Sequence, residues 1–412
     1  MSEPMVIVGA GQCGARAAMA LREIGWVGPI TLIGEEPEAP YERPPLSKGA
    51  MTSAQTPAPA TICEIARLAE VGIDFLGGIL ATGIDRLAHE VILADGRRIP
   101  YARLLIATGA RARRLDAPGG DRVLYLRRFP DALALRERVW PGARIGIIGG
   151  GFIGSELAAS LSARGCAVSL IELAPRLMGR VVPAEIADLV AARHEAAGVT
   201  LIFGAGVVRI EATGEGSRIV LAGGAAIECD VVVAGVGAVP ETALAEAATL
   251  EIENGVKVDG RLSTSDPDIF AAGDCCSFPH PLFGDRRIRL EAWRNALDQG
   301  NAAARTMAGA SDPYDAVPSF WSDQYDLTIR IAGLPDADQT EVVRTRADGV
   351  ELRFGLDPAG RLVAASAVGL GDAVAKDIRL AEMLIARRAA PDPDLLANPT
   401  ITLKSILSAQ EG

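Results

Sequence analysis

Residues 144–172 read RIGIIGGGFIGSELAASLSARGCAVSLIE and contain every part of a nucleotide-binding unit. An apolar strand leads into a G-x-G-x-x-G turn of Gly149, Gly151 and Gly154, followed by an Ala-rich helix, a second apolar strand and Glu172. The first glycine permits a tight turn, the second lets a pyrophosphate approach the backbone, and the third lets the helix pack close to the strand. The helix N-terminus attracts the phosphates, and the acid accepts hydrogen bonds from a ribose. The segment therefore predicts a dinucleotide site.

The same unit occurs at the start of the chain. Residues 5–36 read MVIVGAGQCGARAAMALREIGWVGPITLIGEE, with Gly9, Gly11 and Gly14 in the turn and Glu35 as the acid. A single G-x-G-x-x-G can be no more than a turn, but the full strand, turn, helix, strand and acid occur twice here. Two dinucleotide sites on one chain indicate a flavin and a nicotinamide, with FAD at the N-terminal site.

Two later segments fit this interpretation. Residues 103–110, RLLIATGA, form an apolar strand that ends in Thr108 and Gly109, where the chain could leave the first domain. Residues 266–276, DPDIFAAGDCC, place Asp274 directly after a strand and a glycine. A carboxylate there could bind a ribityl hydroxyl of FAD or could cap the N-terminus of a helix, and this fragment leaves both roles open.

The domain order follows from a further strand that ends in glycines. Residues 227–240, IECDVVVAGVGAVP, carry Gly235 and Gly237 and return the chain to the first domain. We predict an α/β protein with two Rossmann-like dinucleotide-binding domains and a C-terminal α+β domain. Alternating segments separated by Asp/Gly turns, and a helix near 374–389, indicate that last domain. The predicted bounds are 1–106 and 232–315 for the FAD-binding domain, 107–231 for the NAD-binding domain and 316–412 for the C-terminal domain.

Composition excludes several classes of protein. The chain has 412 residues and a formal net charge of −11, which argues against binding to nucleic acid or to an anionic membrane. We expect no signal peptide and no membrane span, because apolar runs are soon interrupted. The six cysteines include no C-x-x-C pair, which favours a reducing cytoplasm, and Cys275 and Cys276 are expected to be packed side chains. No dithiol centre, metal site or iron–sulfur cluster is predicted.

Six stretches show a resemblance that extends over essentially the whole chain. They resemble the FAD-dependent, NADH-using ferredoxin reductases of oxygenase systems. The stretch at 320–326 is much more specific than a Rossmann fingerprint, because disulfide reductases of glutathione-reductase-like architecture end in a different dimerisation domain. The stretches are PYERPPLSK (40–48), DGRRIPYARLLIATGA (95–110), LIELAPRLMGR (170–180), DPDIFAAGDC (266–275), LEAWRNALDQG (290–300) and FWSDQYD (320–326).

The resemblance implies an activity and a set of site residues. The protein would take hydride from NADH onto FAD and pass single electrons to a [2Fe-2S] ferredoxin that serves an aromatic-ring dioxygenase or a cytochrome P450. Lys48 and Glu156 would stand at the reacting rings, although on pattern alone they are a surface lysine and an exposed helix position. The FAD-binding residues would be Gly9, Gly11, Cys13, Gly14, Glu35, Lys48, Ala81, Thr108, Gly109, Arg127, Asp274, Trp293 and Trp321. The NAD-binding residues would be Gly149, Gly151, Ile153, Gly154, Glu156, Glu172, Arg180, Gly235 and Gly237.

Some choices stay open at this point. Glu172 favours NADH over NADPH, since a carboxylate repels a 2′-phosphate, but Arg176 and Arg180 lie nearby. An NADH oxidase or quinone reductase, or an NADH-sensing flavoprotein of the apoptosis-inducing-factor type, would share this architecture. Residues 286–294, RRIRLEAWR, form a candidate basic patch for an acidic ferredoxin. Members of the family differ in whether they dimerise, and the sequence favours neither state.

Overall fold

The computed structural model describes residues 3–179, 181–214, 216–335 and 338–409, and the chain divides into two compact units. The first unit consists of Met1–Glu42, Pro59–Arg111 and Val239–Pro318. The second consists of Arg43–Ala58, Ala112–Ala238 and Ser319–Gly412. The four predicted domain ranges stay a proposal about how the chain is organised. Among the described residues, no helix combines the length and the apolar character needed to cross a bilayer.

The first unit is built on a five-stranded parallel sheet. Its central strand, Met5–Val8, is buried along its whole length, as expected for a strand covered on both faces. The strand order is Ile269–Ala271, Arg103–Ile106, Met5–Val8, Ile30–Ile33 and Ile73–Leu76. Other strands of this unit are Ala81–Asp85, Glu90–Leu93, Arg98–Pro100, Val256–Lys257, Cys276–His280 and Arg286–Ile288. Its α-helices are Gln12–Glu23, Ile65–Glu70, Ala243–Ala247 and Trp293–Met307, and Pro281–Phe283 is a 3₁₀ turn.

Small residues let two helices of the first unit pack closely. The helix Gln12–Glu23 buries mainly alanines and packs against Trp293–Met307. A Cβ added to Gly300 would lie 2.6 Å from the carbonyl oxygen of Cys13, so the second helix needs glycine at this crossing. The packing holds the first glycine loop, which immediately precedes Gln12, against the rest of the unit.

The second unit repeats the parallel arrangement. The order of its parallel strands is Thr200–Phe203, Ala167–Glu172, Arg144–Ile148, Val231–Ala234 and Leu124–Tyr125. An antiparallel sheet of Val207–Thr213, Gly216–Leu221 and Ala226–Cys229 accompanies it. The helices of the second unit that precede its C-terminal sheet are Gly49–Thr52, Phe129–Glu137, Phe152–Ala163 and Ala184–Ala196, with 3₁₀ turns at Pro44–Ser47 and Gly120–Arg122. Two further strands, Ala110–Ala112 and Ala238–Pro240, lie where the chain passes from one unit to the other.

The C-terminal part of the second unit is a five-stranded antiparallel sheet with helices. The helix Ala375–Ala386 packs against the sheet, close to the predicted position. The strand order is Ser319–Gln324, Leu327–Gly333, Leu362–Leu370, Glu351–Leu356 and Thr340–Thr345. Short helices Pro393–Ala397 and Leu403–Ala409 follow. The two parallel sheets and this antiparallel one confirm the predicted fold class.

The core of the antiparallel sheet yields a stability prediction. The ring of Phe354 is fully buried, whereas Leu370 at the end of a neighbouring strand is 64% exposed. Phe354→Ala is expected to cost about 3–5 kcal/mol of unfolding free energy because it leaves a cavity. Leu370→Ala is the control and should change it by no more than about 0.5 kcal/mol. Urea unfolding followed by circular dichroism measures both, and equal effects of the two substitutions would contradict the assigned core.

Candidate functional site

The three glycines of the first loop have different surroundings. Gly9 has φ +111°, and a Cβ on it would lie 2.1 Å from the carbonyl oxygen of Ala107. A Cβ on Gly14 would lie 1.9 Å from the carbonyl oxygen of Gly9. A Cβ on Gly11 would meet no described atom within 4 Å. The protein itself therefore requires the first and third glycines, while the second faces open space.

The second loop repeats this pattern. Gly149 has φ +103°, and a Cβ on it would lie 2.5 Å from the carbonyl oxygen of Gly235. A Cβ on Gly154 would lie 1.9 Å from the carbonyl oxygen of Gly149. A Cβ on Gly151 would again meet nothing within 4 Å among the described atoms. The backbone at each second glycine is thus open to a close ligand, as a bound pyrophosphate requires.

Both loops end at helix N-termini that are open to an anion. Gly11 and Gly151 are the N-caps of Gln12–Glu23 and Phe152–Ala163, and no side chain in the described residues caps either helix. The first N–H groups of these helices carry a partial positive charge. A dinucleotide pyrophosphate fits each loop, both in charge and in the space left above the second glycine.

Glu172 is held in a fixed orientation beside the second loop. One carboxylate oxygen accepts from the backbone N–H of Gly150 at 2.6 Å, and the other accepts from that of Ala174 at 2.7 Å. The neighbouring Leu173 is 72% exposed, and Ile153 at the helix start is 42% exposed. This arrangement can present a carboxylate and apolar surface to an adenosine.

Two further predicted NAD-binding residues are Gly237 and Arg180. Gly237 has φ +103°, and its carbonyl oxygen accepts from the backbone N–H of Arg113 at 3.0 Å. Arg180 lies outside the described residues.

Two loop ends of the first unit carry predicted FAD-binding residues. The hydroxyl of Thr108 donates to a backbone carbonyl at 2.7 Å, and Gly109 has φ +72°, a left-handed conformation that favours glycine. Asp274 follows the strand Ile269–Ala271 in a turn that leads into the strand Cys276–His280. Because a strand and not a helix follows it, the alternative role of Asp274 as a helix cap is wrong.

The other predicted FAD-binding residues of the first unit lie on separate elements. Glu35 is exposed and comes two residues after the strand Ile30–Ile33, Ala81 begins a strand, and Trp293 begins a helix. Cys13 is buried, and burial raises the pKa of its thiol well above the usual value. Cys13 is therefore a neutral, packed side chain in the first turn of the helix Gln12–Glu23.

Lys48 and Glu156 form an ion pair in the second unit. Lys48 Nζ lies 3.3 Å from Glu156 Oε1 and donates to Asp323 Oδ2 at 3.1 Å. The same Nζ lies 5.9 Å from the ring centroid of Trp321. Glu156 is only 6% exposed, so the expectation of an exposed helix position is wrong. The helix Phe152–Ala163 turns this residue towards the segments that carry Lys48 and Trp321.

Two serines complete the surroundings of the Glu156 carboxylate. Ser47 Oγ donates to Oε2 at 2.5 Å, and Ser322 Oγ donates to Oε1 at 2.7 Å. Burial raises the pKa of Glu156, while the Lys48 cation and the two hydroxyl groups oppose that rise. The sequence analysis missed Ser47, Ser322 and Asp323, although they lie inside PYERPPLSK and FWSDQYD.

Arginines anchor the backbone around this cluster. Arg136 donates to the carbonyl of Ala50 at 2.7 Å, and Arg164 donates to that of Met51 at 3.2 Å. Both carbonyls belong to the short helix that follows Lys48, so the cations satisfy its C-terminal end. The backbone N–H of Arg127 donates to Asp131 at 3.0 Å, which fixes the start of another helix of this unit.

The candidate basic patch is mostly paired within the protein. Arg287 donates to the carbonyl of Ser277 at 2.6 Å, Arg289 pairs with Glu291, and Arg294 pairs with Asp298 at 2.8 Å. Among the described residues, no three His, Cys, Asp or Glu side chains are grouped as metal ligands.

The comparisons with known proteins agree with this geometry. The sequence matches the pyridine nucleotide-disulphide oxidoreductase family over residues 3–300 and a reductase C-terminal family over residues 319–407. It is 41% identical to the ferredoxin–NAD(+) reductase component of the anthranilate 1,2-dioxygenase system of Burkholderia cepacia, over 98% of this chain and 100% of that protein.

Two solved structures are similar along their whole length. The ferredoxin reductase for the CYP199A2 system of Rhodopseudomonas palustris has a TM-score of 0.92 and 36% identity, covering 98% of this chain and 99% of that one. The reductase in the covalent putidaredoxin reductase–putidaredoxin complex also has a TM-score of 0.92, with 32% identity over 100% of this chain and 99% of that one. The chain therefore belongs to the pyridine nucleotide-disulphide oxidoreductase family and, within it, to the ferredoxin–NAD(+) reductases.

Proposed function

We propose that this chain takes hydride from NADH onto FAD and passes electrons singly to a [2Fe-2S] ferredoxin that serves an aromatic-ring dioxygenase or a cytochrome P450. The observation that carries the proposal is the end-to-end likeness to a dioxygenase-system reductase, from the first glycine loop to the C-terminal sheet. When bound, FAD accepts an electron pair as hydride and can release the electrons one at a time. The protein supplies binding, orientation and charge.

The first unit is proposed to hold most of the FAD. Its pyrophosphate would lie over Gly11 at the uncapped helix start, with the adenosine ribose on Glu35 and the ribityl chain near Asp274. Each role suits the residue, because these carboxylates can accept hydrogen bonds from hydroxyl groups while the glycine lets the phosphates approach. The remaining proposed FAD contacts are Gly9, Cys13, Gly14, Lys48, Ala81, Thr108, Gly109, Arg127, Trp293 and Trp321.

The second unit is proposed to hold NADH. The pyrophosphate would lie over Gly151, and the two backbone N–H groups that orient Glu172 would present its carboxylate to the 2′-hydroxyl. A 2′-phosphate there would meet a negative charge, which favours NADH over NADPH. The remaining proposed contacts are Gly149, Ile153, Gly154, Glu156, Arg180, Gly235 and Gly237.

Lys48 and Glu156 are proposed to stand where hydride is transferred. The buried carboxylate holds the ammonium group in place, and Asp323 pairs with the same group. A fixed positive charge can orient a reacting group and stabilise negative charge that develops there.

Replacing Lys48 with methionine tests this role. Lys48→Met keeps the length of the side chain but removes the cation that opposes the burial of Glu156, so the pKa of Glu156 rises further. Flavin reduction by NADH is expected to slow by roughly tenfold or more, because the fixed positive charge proposed at the site of hydride transfer is lost. If the ionised carboxylate is the active form, the loss of rate on acidification begins at a higher pH than in the wild type.

The exposed Lys404 provides the control, since Lys404→Met should change neither rate nor pH profile. Stopped-flow absorbance of the flavin gives the rate for the wild type and both variants from pH 5 to 9. This range includes the pH values at which proteins are usually most stable. An unchanged rate of flavin reduction in Lys48→Met would contradict the proposed role.

We also propose that the protein works in the cytoplasm. All six cysteines are free thiols, although five of them are buried. A reducing compartment keeps thiols in this state.

The choice of electron acceptor tests the proposed function. NADH consumption is compared with oxygen alone, with a quinone and with a [2Fe-2S] ferredoxin. The proposal predicts slow turnover with the first two and fast turnover with ferredoxin. Fast oxidation of NADH without an added protein would favour an oxidase or quinone reductase, and slow turnover with every acceptor would favour an NADH-sensing flavoprotein.

A further inference from the structure

A chain of hydrogen bonds connects the half-buried Tyr325 with the carboxylate of Glu156. Tyr325 Oη lies 3.2 Å from His194 Nδ1, and His194 Nε2 lies 2.8 Å from Gln324 Oε1. Gln324 Nε2 donates to Ser322 Oγ at 3.0 Å, and Ser322 Oγ donates to Glu156 Oε1 at 2.7 Å. All five residues belong to the second unit.

The direction of each bond follows from the Gln324 amide as the structure orients it and from a neutral His194 ring. The amide oxygen of Gln324 only accepts, so His194 carries its proton on Nε2. His194 Nδ1 is then an acceptor and takes the hydroxyl proton of Tyr325. Since Ser322 accepts from Gln324, its own proton goes to Glu156. Every donor therefore points towards the carboxylate.

The hydrogen-bond chain is buried, and this burial fixes its side chains in one arrangement. His194 and Ser322 are fully buried, and Gln324 is 1% exposed. Burial lowers the pKa of His194, in keeping with the neutral ring that the bonding pattern requires. In such surroundings an unpaired polar group is costly, so the loss of one bond disturbs the others.

Two elements bring these residues together. Ser322 and Gln324 lie on one face of the strand Ser319–Gln324 because side chains alternate along a strand, and His194 lies on the helix Ala184–Ala196. Tyr325 follows directly with φ +57°, a conformation that bulky residues rarely adopt. Its ring meets that of His194 edge to face, with centroids 5.1 Å apart.

We propose that His194 and Gln324 are positioning residues for Glu156, which they influence through Ser322. The polarised chain keeps the Ser322 hydroxyl aimed at Oε1 and so favours the ionised carboxylate that pairs with Lys48. This inference rests on the proposed function, in which Glu156 and Lys48 stand at the site of hydride transfer. An amide does not readily relay a proton, so the hydrogen-bond chain orients the carboxylate and does not conduct protons.

The charged groups around this hydrogen-bond chain affect any pH dependence of the Glu156 carboxylate. Lys48, which also pairs with Asp323, faces Glu156. Arg193 lowers the pKa of His194, and its guanidinium lies 4.3 Å from the ring centroid of Tyr325. The substitutions below leave these charges unchanged. A shift in the Glu156 pKa therefore reports the change in hydrogen bonding.

Infrared difference spectra of protein labelled with ¹³C-glutamate test the proposal without an activity assay. The Glu156 carboxyl band is assigned by its loss in Glu156→Gln, and its pH titration gives the pKa. Gln324→Met should raise that pKa by roughly 0.5 to 1, the effect of one neutral hydrogen bond. Tyr325→Phe should raise it by less, and exposed Gln55→Met should leave it unchanged. An unchanged pKa in Gln324→Met would overturn the proposal, and Tyr325→Phe decides in the same way if Gln324→Met does not fold.

A double-mutant cycle tests whether Gln324 works through Glu156. Flavin reduction by NADH should slow about three- to tenfold when Gln324→Met is made in the wild type, and less than about twofold when it is made in Glu156→Gln. Equal losses in both backgrounds would overturn the proposal. If NADH does not reduce the wild-type flavin, the proposed function fails, while the infrared shift still decides the positioning role.

Discussion

Gly151→Ala is expected to weaken NADH binding by about 10- to 100-fold while leaving the fold intact. Gly151 has φ −75° and ψ −173°, which an alanine can adopt, and its Cβ would meet no described atom within 4 Å. The added methyl group would occupy the space next to the backbone where the pyrophosphate is proposed to lie. Titration of NADH at equilibrium measures the loss of affinity, and urea unfolding measures stability.

Gly154→Ala, three residues further on, is the matched comparison. Its Cβ would lie 1.9 Å from the carbonyl oxygen of Gly149, so the helix has to move away from the strand. We expect a loss of about 3 kcal/mol in unfolding free energy. Unchanged NADH affinity in Gly151→Ala would show that this loop does not hold the pyrophosphate, whatever the effect of Gly154→Ala.

Glu172→Arg is expected to reduce the preference for NADH over NADPH by about 100-fold, because hydrogen bonds to charged groups contribute roughly 1.5–3 kcal/mol each. The substitution removes the proposed acceptor for the 2′-hydroxyl and replaces a negative charge with a positive one. The ratio of kcat/KM for the two nucleotides measures the preference.

Glu172 also accepts from the backbone N–H groups of Gly150 and Ala174, so the loop itself needs a control. Glu172→Gln removes the charge and replaces one acceptor oxygen with an NH₂ donor, so it keeps one of the two loop hydrogen bonds, and it should shift the preference by about tenfold. A fall in activity with both nucleotides, at an unchanged ratio, would mean that Glu172 serves the loop and not the ribose.

Local constraints explain what the sequence could predict. The third glycine of each loop is predictable because the carbonyl that leaves no room for a Cβ lies a few residues earlier, at Gly9 for Gly14 and at Gly149 for Gly154. The alternating segments of the C-terminal domain likewise predict antiparallel strands, and Leu327–Gly333 is one of them.

Contacts between residues that are distant in sequence explain what the sequence could not predict. Glu156 is buried by Ser47 and Ser322, which lie 109 and 166 residues away along the chain. Within its own helix, nothing marks Glu156 as different from an exposed acid. His194 is also isolated in sequence, and its role depends on Gln324, which is 130 residues away.

An anaerobic titration of the flavin-loaded protein tests electron transfer most directly. NADH is added until the flavin absorbance no longer changes, and an oxidised [2Fe-2S] ferredoxin is then mixed in. We predict that NADH bleaches the flavin, that NADPH does so far less well, and that the ferredoxin quickly restores the colour. A flavin that stays bleached with ferredoxin but recovers at once with oxygen or a quinone would contradict the proposed function.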